Sequence, residues 1–98
     1  MVSIHNIVIA APQQVSCELA GESTILNLRN GGYYGLTGVG LRIWELLQLR
    51  RRVADIEQIL LKEFEVEPER CRADLLSLLN QMQAESLIDF FNGFTFRY

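Results

Sequence analysis

The hydrophobic period of this chain switches at Thr37, and that switch limits the folds open to it. Before Thr37 apolar residues recur at about every second position, and after it at the spacing of a helix. Val15, Cys17 and Leu19 alternate with Ser16 and Glu18, and Ala20-Gly21 supplies turn chemistry. Residues 24–28 give a second run, with Leu26 and Leu28 on one face and Ile25 and Asn27 on the other. Asn30-Gly31-Gly32 tolerates the positive φ of a tight turn, and Tyr33-Tyr34-Gly35-Leu36 follows as a third, aromatic strand. Three strands joined this way predict an antiparallel meander. Ahead of them, residues 4–11 are apolar and end at Pro12, as an edge strand or a mobile arm would.

The second half is helical. Thr37 suits an N-cap, and Val39, Ile43, Leu46 and Leu47 form an apolar stripe with Trp44 beside it. Gly38 and Gly40 each cost roughly 1 kcal/mol against alanine in that first turn, so a close approach to the sheet is expected there. Arg50-Arg51-Arg52 interrupts the pattern as a loop; Val53, Ile56, Leu60 and Phe64 define a second helix. Its start has Arg52 where a capping residue would sit, with Asp55 favourable to the helix dipole. Glu67-Pro68 opens a third helix, on which Cys71, Leu75, Leu78 and Met82 share one face. Leu76 and Leu79 widen that apolar arc beyond what one packing partner needs. Residues 88–91, Asn92-Gly93 and residues 94–97 have the form of a terminal hairpin. The expected fold is α+β and winged helix-turn-helix-like: a three-stranded antiparallel sheet, three helices and a C-terminal hairpin. It divides into an arm or edge strand (1–14), a central domain (15–88) and a hairpin extension (89–98).

Composition narrows the chemistry. Ninety-eight residues, 49% hydrophobic and 21% charged, make one globular domain. A net charge of −3 argues against affinity built on phosphate neutralisation. Cys17 and Cys71 have neither the spacing nor the neighbours of a zinc ribbon or disulfide framework. No apolar run approaches the about 20 residues that span a bilayer, and no basic-then-apolar leader is visible. A cytoplasmic protein is expected. His5 is the lone histidine, so no Ser-His-Asp set or metal cluster assembles around it. The glycines match no phosphate-binding loop, and Glu63, Glu65, Glu67 and Glu69 suit a solvated rim. No enzyme, metal or cofactor is expected.

Binding by surface shape remains. Arg42 with the arginine run would suit nucleic acid, but Glu69, Asp74 and Glu85 on the third helix would repel phosphate. The third strand ends the meander, so an extended peptide can complete its ladder. Each main-chain bond nets only about 0.5–1.5 kcal/mol; specificity needs apolar pockets beside it.

Residues 22–47, ESTILNLRNGGYYGLTGVGLRIWELL, resemble the PqqD-like family. Its pattern runs Leu-Asp-x-x-x-Gly-x-Tyr-x-x-Leu-Asn into a helix with Ile-Trp-x-Leu-Leu. Asn27 stands for the Asp, followed by Gly31, Tyr33 or Tyr34, Leu36, Thr37 for the Asn, then Ile43, Trp44, Leu46 and Leu47. On the third helix residues 73–79 are similar to the family's Asp-Val-x-x-Phe-Leu, and Ser86-Leu87-Ile88 to its Gly-Leu-Ile. Asn27 lacks the Asp charge, and Ser86 replaces a C-cap glycine.

The resemblance implies a non-catalytic recognition element for ribosomally made, modified peptides. Such a module binds the precursor's leader peptide as an added strand between the third strand and third helix. It then presents the leader to a partner. The preferred setting is lasso-peptide maturation, with a cysteine-protease-like leader peptidase; another peptide-modifying enzyme, or a radical-SAM partner in pyrroloquinoline quinone synthesis, is the alternative. A winged-helix DNA-binding regulator and a purely structural subunit are the rivals. On this reading Tyr33, Tyr34, Gly35 and Leu36 furnish the pairing edge. Leu75, Leu78 and Leu79, with Leu26 or Leu28 behind them, line apolar pockets, and Arg72 and Asp74 set register at the rim. Arg42 and the arginine run would meet the peptidase. Neither nucleic acid nor membrane is an expected partner.

Overall fold

The alternation before Thr37 folds as a meander. In the computed structural model, which describes residues 1–12, 14–19, 22–27 and 31–92, three strands pair antiparallel in the order β2 (Gln14–Leu19), β3 (Glu22–Asn27) and β4 (Tyr33–Thr37). Ile25 lies opposite Tyr34, and Leu26 opposite Tyr33. β4 is the expected third strand, renumbered because another strand precedes the meander.

That earlier strand is the main departure. Residues 4–11 are neither an edge strand nor a mobile arm. β1 (Asn6–Ala10) is the centre of a second antiparallel sheet, between β5 (Arg51–Arg52) and β6 (Ile88–Asn92). Ile7 and Val8, which point to opposite faces of the sheet, are both buried, so β1 is shielded on both faces at its centre. Val2 is buried as well, and its N–H donates to Asn80 Oδ1 at 2.8 Å. The arginine run is not simply a loop: Arg51 and Arg52 pair with Val8 and Ile7. The Arg51 Nε donates to the Leu46 carbonyl at 2.7 Å, which satisfies one of the free acceptors at a helix end. β6 forms where the terminal hairpin was expected to begin, and its described partner is β1; the return strand falls outside the described residues.

Three helices follow the expected order: α1 (Gly38–Leu46), α2 (Val53–Glu63) and α3 (Pro68–Ala84). Thr37 takes the N-cap position of α1 with extended backbone but makes no side-chain capping bond. Gly38 has φ +57°, a left-handed conformation that glycine adopts without cost. Gly40 faces the Leu36 and Leu78 side chains; a Cβ there would meet them at ordinary distances of 3.5 and 4.0 Å. Positive φ at Gly38, not crowding at both glycines, accounts for the weak first turn. On α1 the buried face is Leu41, Ile43, Trp44 and Leu46, while Val39 is exposed. α3 begins at Pro68 as expected and buries Cys71, Leu75, Leu79 and Met82. The core joins these side chains to Val8, Ile25, Ile56 and Leu60, so both sheets and all three helices share it. The α+β class stands, and the winged-helix likeness is loose, because two separate sheets flank the helices.

α3 ends in a left-handed cap. Ser86 has φ +61°, its N–H donates to the Gln83 carbonyl, and the Leu87 N–H donates to the Met82 carbonyl. These two bonds form a Schellman motif with serine where glycine is usual. A left-handed non-glycine residue costs roughly 1–2 kcal/mol. Ser86→Gly is therefore expected to stabilise the fold by about 1 kcal/mol and raise the melting temperature by about 4–8 °C. An unchanged or lower melting temperature would count against the strained cap.

Candidate functional site

β4 pairs with β3 along one edge; among the described residues no strand pairs with the other. That open edge borders a groove of about 660 Å³ between β4 and α3. Alternation along β4 turns Tyr34 and Leu36 inward, half-buried, and leaves Tyr33, Gly35 and Thr37 exposed. Leu78 and Met82 from α3, with Leu87 beyond it, supply the facing wall, and Ile25 closes the floor from β3. Among the described residues the groove thus combines a strand edge without a neighbouring strand and apolar walls.

A second hollow of about 220 Å³ opens where α1, α2 and α3 meet. Ile43, Leu60, Phe64, Cys71 and Leu75 line it, Val39 and Val66 stand exposed at its lip, and Leu78 is shared with the groove.

The expected site residues divide accordingly. Tyr33, Tyr34, Gly35, Leu36 and Leu78 border the groove, and Leu75 and Asp74 border the second hollow. Leu79 is fully buried in the core and reaches neither. Leu26 is one position out of phase with the buried Ile25, so it points to the opposite face of the meander and does not back the pocket. Leu28 lies outside the described residues. Arg72 is turned away: its guanidinium makes two bonds, of 2.8 and 3.0 Å, to the buried Glu57 carboxylate of α2. That bidentate bond, with the Glu57 charge, raises the Arg72 pKa further above its ordinary value, against a smaller opposing effect of burial. Asp74 accepts from Arg70 at 3.0 Å, an exposed pair one helical turn apart. The groove residues missed by sequence reasoning are Ile25, Gln81, Met82, Ala84, Glu85 and Leu87.

Arg42 and Arg50 are also engaged. Arg42 Nε and Nη2 each donate to Glu63 at 2.8 Å, with Glu45 at 3.4 Å. Arg50 lies 5.3 Å above the Phe91 ring. Arg42 and the arginine run therefore do not form one free basic patch, and the arginines of α3 are matched by acids. Among the described residues no group of His, Cys, Asp and Glu converges as metal ligands, and no helix is long and apolar enough to cross a membrane.

The two thiols differ. Cys17 is exposed on β2, and Cys71 is buried beside the second hollow. Burial pushes the Cys71 thiol above its ordinary pKa, and the Glu57 and Asp74 charges add to the shift. The thiolate is the nucleophile, so iodoacetamide at mildly alkaline pH is expected to alkylate Cys17 in the folded protein. Cys71 should react only on unfolding. Equal labelling of both sites by mass spectrometry would contradict this.

Residues 22–88 match the family described as Coenzyme PQQ synthesis protein D (PqqD). The match takes in the meander from β3 onward, all three helices and the first residue of β6. The chain belongs to the PqqD family. Among solved structures, this PqqD-family chain is similar to TbiB1 in complex with the TbiA(beta) leader peptide. The identity is 30%, the overlap covers 83% of this chain and 94% of TbiB1, and the TM-score is 0.77. It also shares its fold with lasso peptide synthetase B1 complexed with the leader peptide, at 22% identity, covering 84% of this chain and 96% of the other, with a TM-score of 0.74. No curated protein sequence matches it.

The PqqD pattern also gives meaning to Asn27. Its side chain is buried, and its Nδ2 donates to the Glu85 carbonyl at 2.8 Å. Its main chain closes the turn into β4, the N–H donating to the Gly32 carbonyl and the C=O accepting from Gly31. One residue therefore sets the spacing between the meander and the end of α3. An amide suits this place because it carries the proton that the carbonyl needs.

Proposed function

We propose that this PqqD-family chain is a non-catalytic recognition element that binds the leader segment of a ribosomally made precursor peptide. The leader adds as a strand to the open edge of β4 and sets apolar side chains into the groove against α3. Lasso-peptide maturation is the setting, and a leader peptidase is the enzyme to which the bound leader is handed. The observation that carries this reading is that one edge of β4 has no strand beside it among the described residues and lies along an apolar groove of about 660 Å³. Support comes from TbiB1, a relative with 30% identity whose structure contains a leader peptide.

Tyr34, Leu36 and Leu78 are the proposed side-chain contacts, with the Tyr33 and Gly35 main chain as the pairing edge. Main-chain pairing is indifferent to leader sequence, and the apolar walls confer selectivity. Leu75 contributes through the second hollow; Leu26, Leu79 and Arg72 have no contact with the leader.

Fluorescence anisotropy tests the proposal, using a labelled leader segment of a lasso-peptide precursor. Saturable binding that changes little with added salt is expected. A DNA-binding function would instead give a duplex affinity that falls steeply as salt rises. Steep salt-dependent duplex binding with no leader binding would overturn the proposal.

A further inference from the structure

Among the described residues the β4–α3 groove has one charged side chain in its wall, Glu85, at the end where α3 stops. Two bonds fix its place. The Asn27 amide donates to the Glu85 backbone carbonyl at 2.8 Å, and the Tyr34 hydroxyl donates to Glu85 Oε1 at 2.5 Å. A carboxylate has about four acceptor sites, and Glu85 is exposed, so the Tyr34 bond leaves most of its capacity unused. No cationic side chain among the described residues pairs with it. The end of a helix also carries partial negative charge from its last carbonyls, which favours a cation at the same spot. By contrast, Arg72 and Asp74, the residues first expected to set register, are engaged by Glu57 and Arg70.

From this juxtaposition the geometry points to Glu85 as a specificity-determining residue that seats a lysine or arginine side chain of the bound peptide. Tyr34 is the positioning residue that holds its carboxylate across the groove. The inference rests on the peptide-binding reading of the groove and adds polarity to it. A main-chain ladder alone tolerates slippage. One cation seat at the α3 end, facing the apolar walls of Leu36, Leu78 and Met82, distinguishes the two ends of a bound strand. A charge placed against those walls would lose water without gaining a partner.

The test is selection of a displayed library of random dodecapeptides on the whole protein. Clones are kept only if they slow amide exchange in β4. Peptides captured by the wild type are expected to share a lysine or arginine at a fixed distance from their apolar positions. Glu85→Gln, which retains an acceptor for the Tyr34 hydroxyl, should erase that preference, and Glu85→Lys should replace it with aspartate or glutamate. Tyr34→Phe should loosen the spacing between cation and apolar positions. For one captured peptide, removing its cation should weaken binding to wild type about three- to fivefold and make no further difference in Glu85→Gln.

An unchanged cation preference in both Glu85 variants, or none in the wild type, would overturn the assignment while leaving the groove as a peptide site. Loss of all capture by Glu85→Gln would make Glu85 a structural support and overturn it too. If the wild type captures no peptide that protects β4, the groove reading itself fails, and this inference with it.

Discussion

Leu78→Ala is expected to weaken leader binding by about tenfold or more, and Leu78→Asp to abolish it. Leu78 is the one α3 side chain common to the groove and the second hollow, and it is only half-buried in the free protein. A side chain that completes its burial only when a partner arrives contributes to binding far more than to folding. Central, desolvated anchors of this kind typically contribute over about 1.4 kcal/mol each, equivalent to tenfold in affinity. The aspartate adds an unpaired charge to a wall that the leader would dry. Anisotropy titrations report the binding and a thermal melt confirms that the variants fold. Full affinity in a folded Leu78→Asp protein would remove the groove from the mechanism.

Asn27→Asp is expected to have the largest effect on stability, a loss of about 2 kcal/mol at neutral pH. The Asn27 amide donates to the Glu85 carbonyl from a fully buried position. An ionised carboxylate has no proton to donate and would face another oxygen. The new carboxyl therefore gains stability by keeping its proton, which raises its folded-state pKa above the unfolded value. The folded state then binds more protons than the unfolded state between those two values, so stability falls as pH rises through that window. Urea midpoints should separate most from wild type at neutral pH and converge on acidification, with unchanged slopes. A variant as stable as wild type at neutral pH would show that the Asn27–Glu85 bond does not hold the meander to α3.

The meander and the three helices were legible because their signals are local. Turn residues at Gly31-Gly32, alternation along β3 and the Pro68 start of α3 each act over a few neighbours. The second sheet was not, because Ile7 pairs with Phe91 and Arg52. Nothing near Ile7 specifies those partners, and two adjacent arginines have no strand signature of their own. At the site, Tyr34, Leu36 and Leu78 could be read from apolar spacing. Ile25 was missed because Ile25 and Leu26 are both apolar, so the phase of β3 could be chosen either way; burial in the shared core selects Ile25. Arg72 could have been excluded by geometry, since six residues of helix place it about 120° round from Leu78. Its true partner, Glu57, belongs to a different helix, and only tertiary packing brings the two together.

The position of β1 between β5 and β6 also governs when the molecule can be completed during synthesis. β1 precedes every other described element, yet its longest pairing partner, β6, comes after all three helices. Until β6 emerges, Ile7 and Val8 have only the two-residue β5 to pair with, and an apolar strand waits with one side open. The nascent chain is therefore vulnerable to mispairing until β6 has emerged. Closure of that sheet is the step that turns a string of preformed pieces into one cooperative unit.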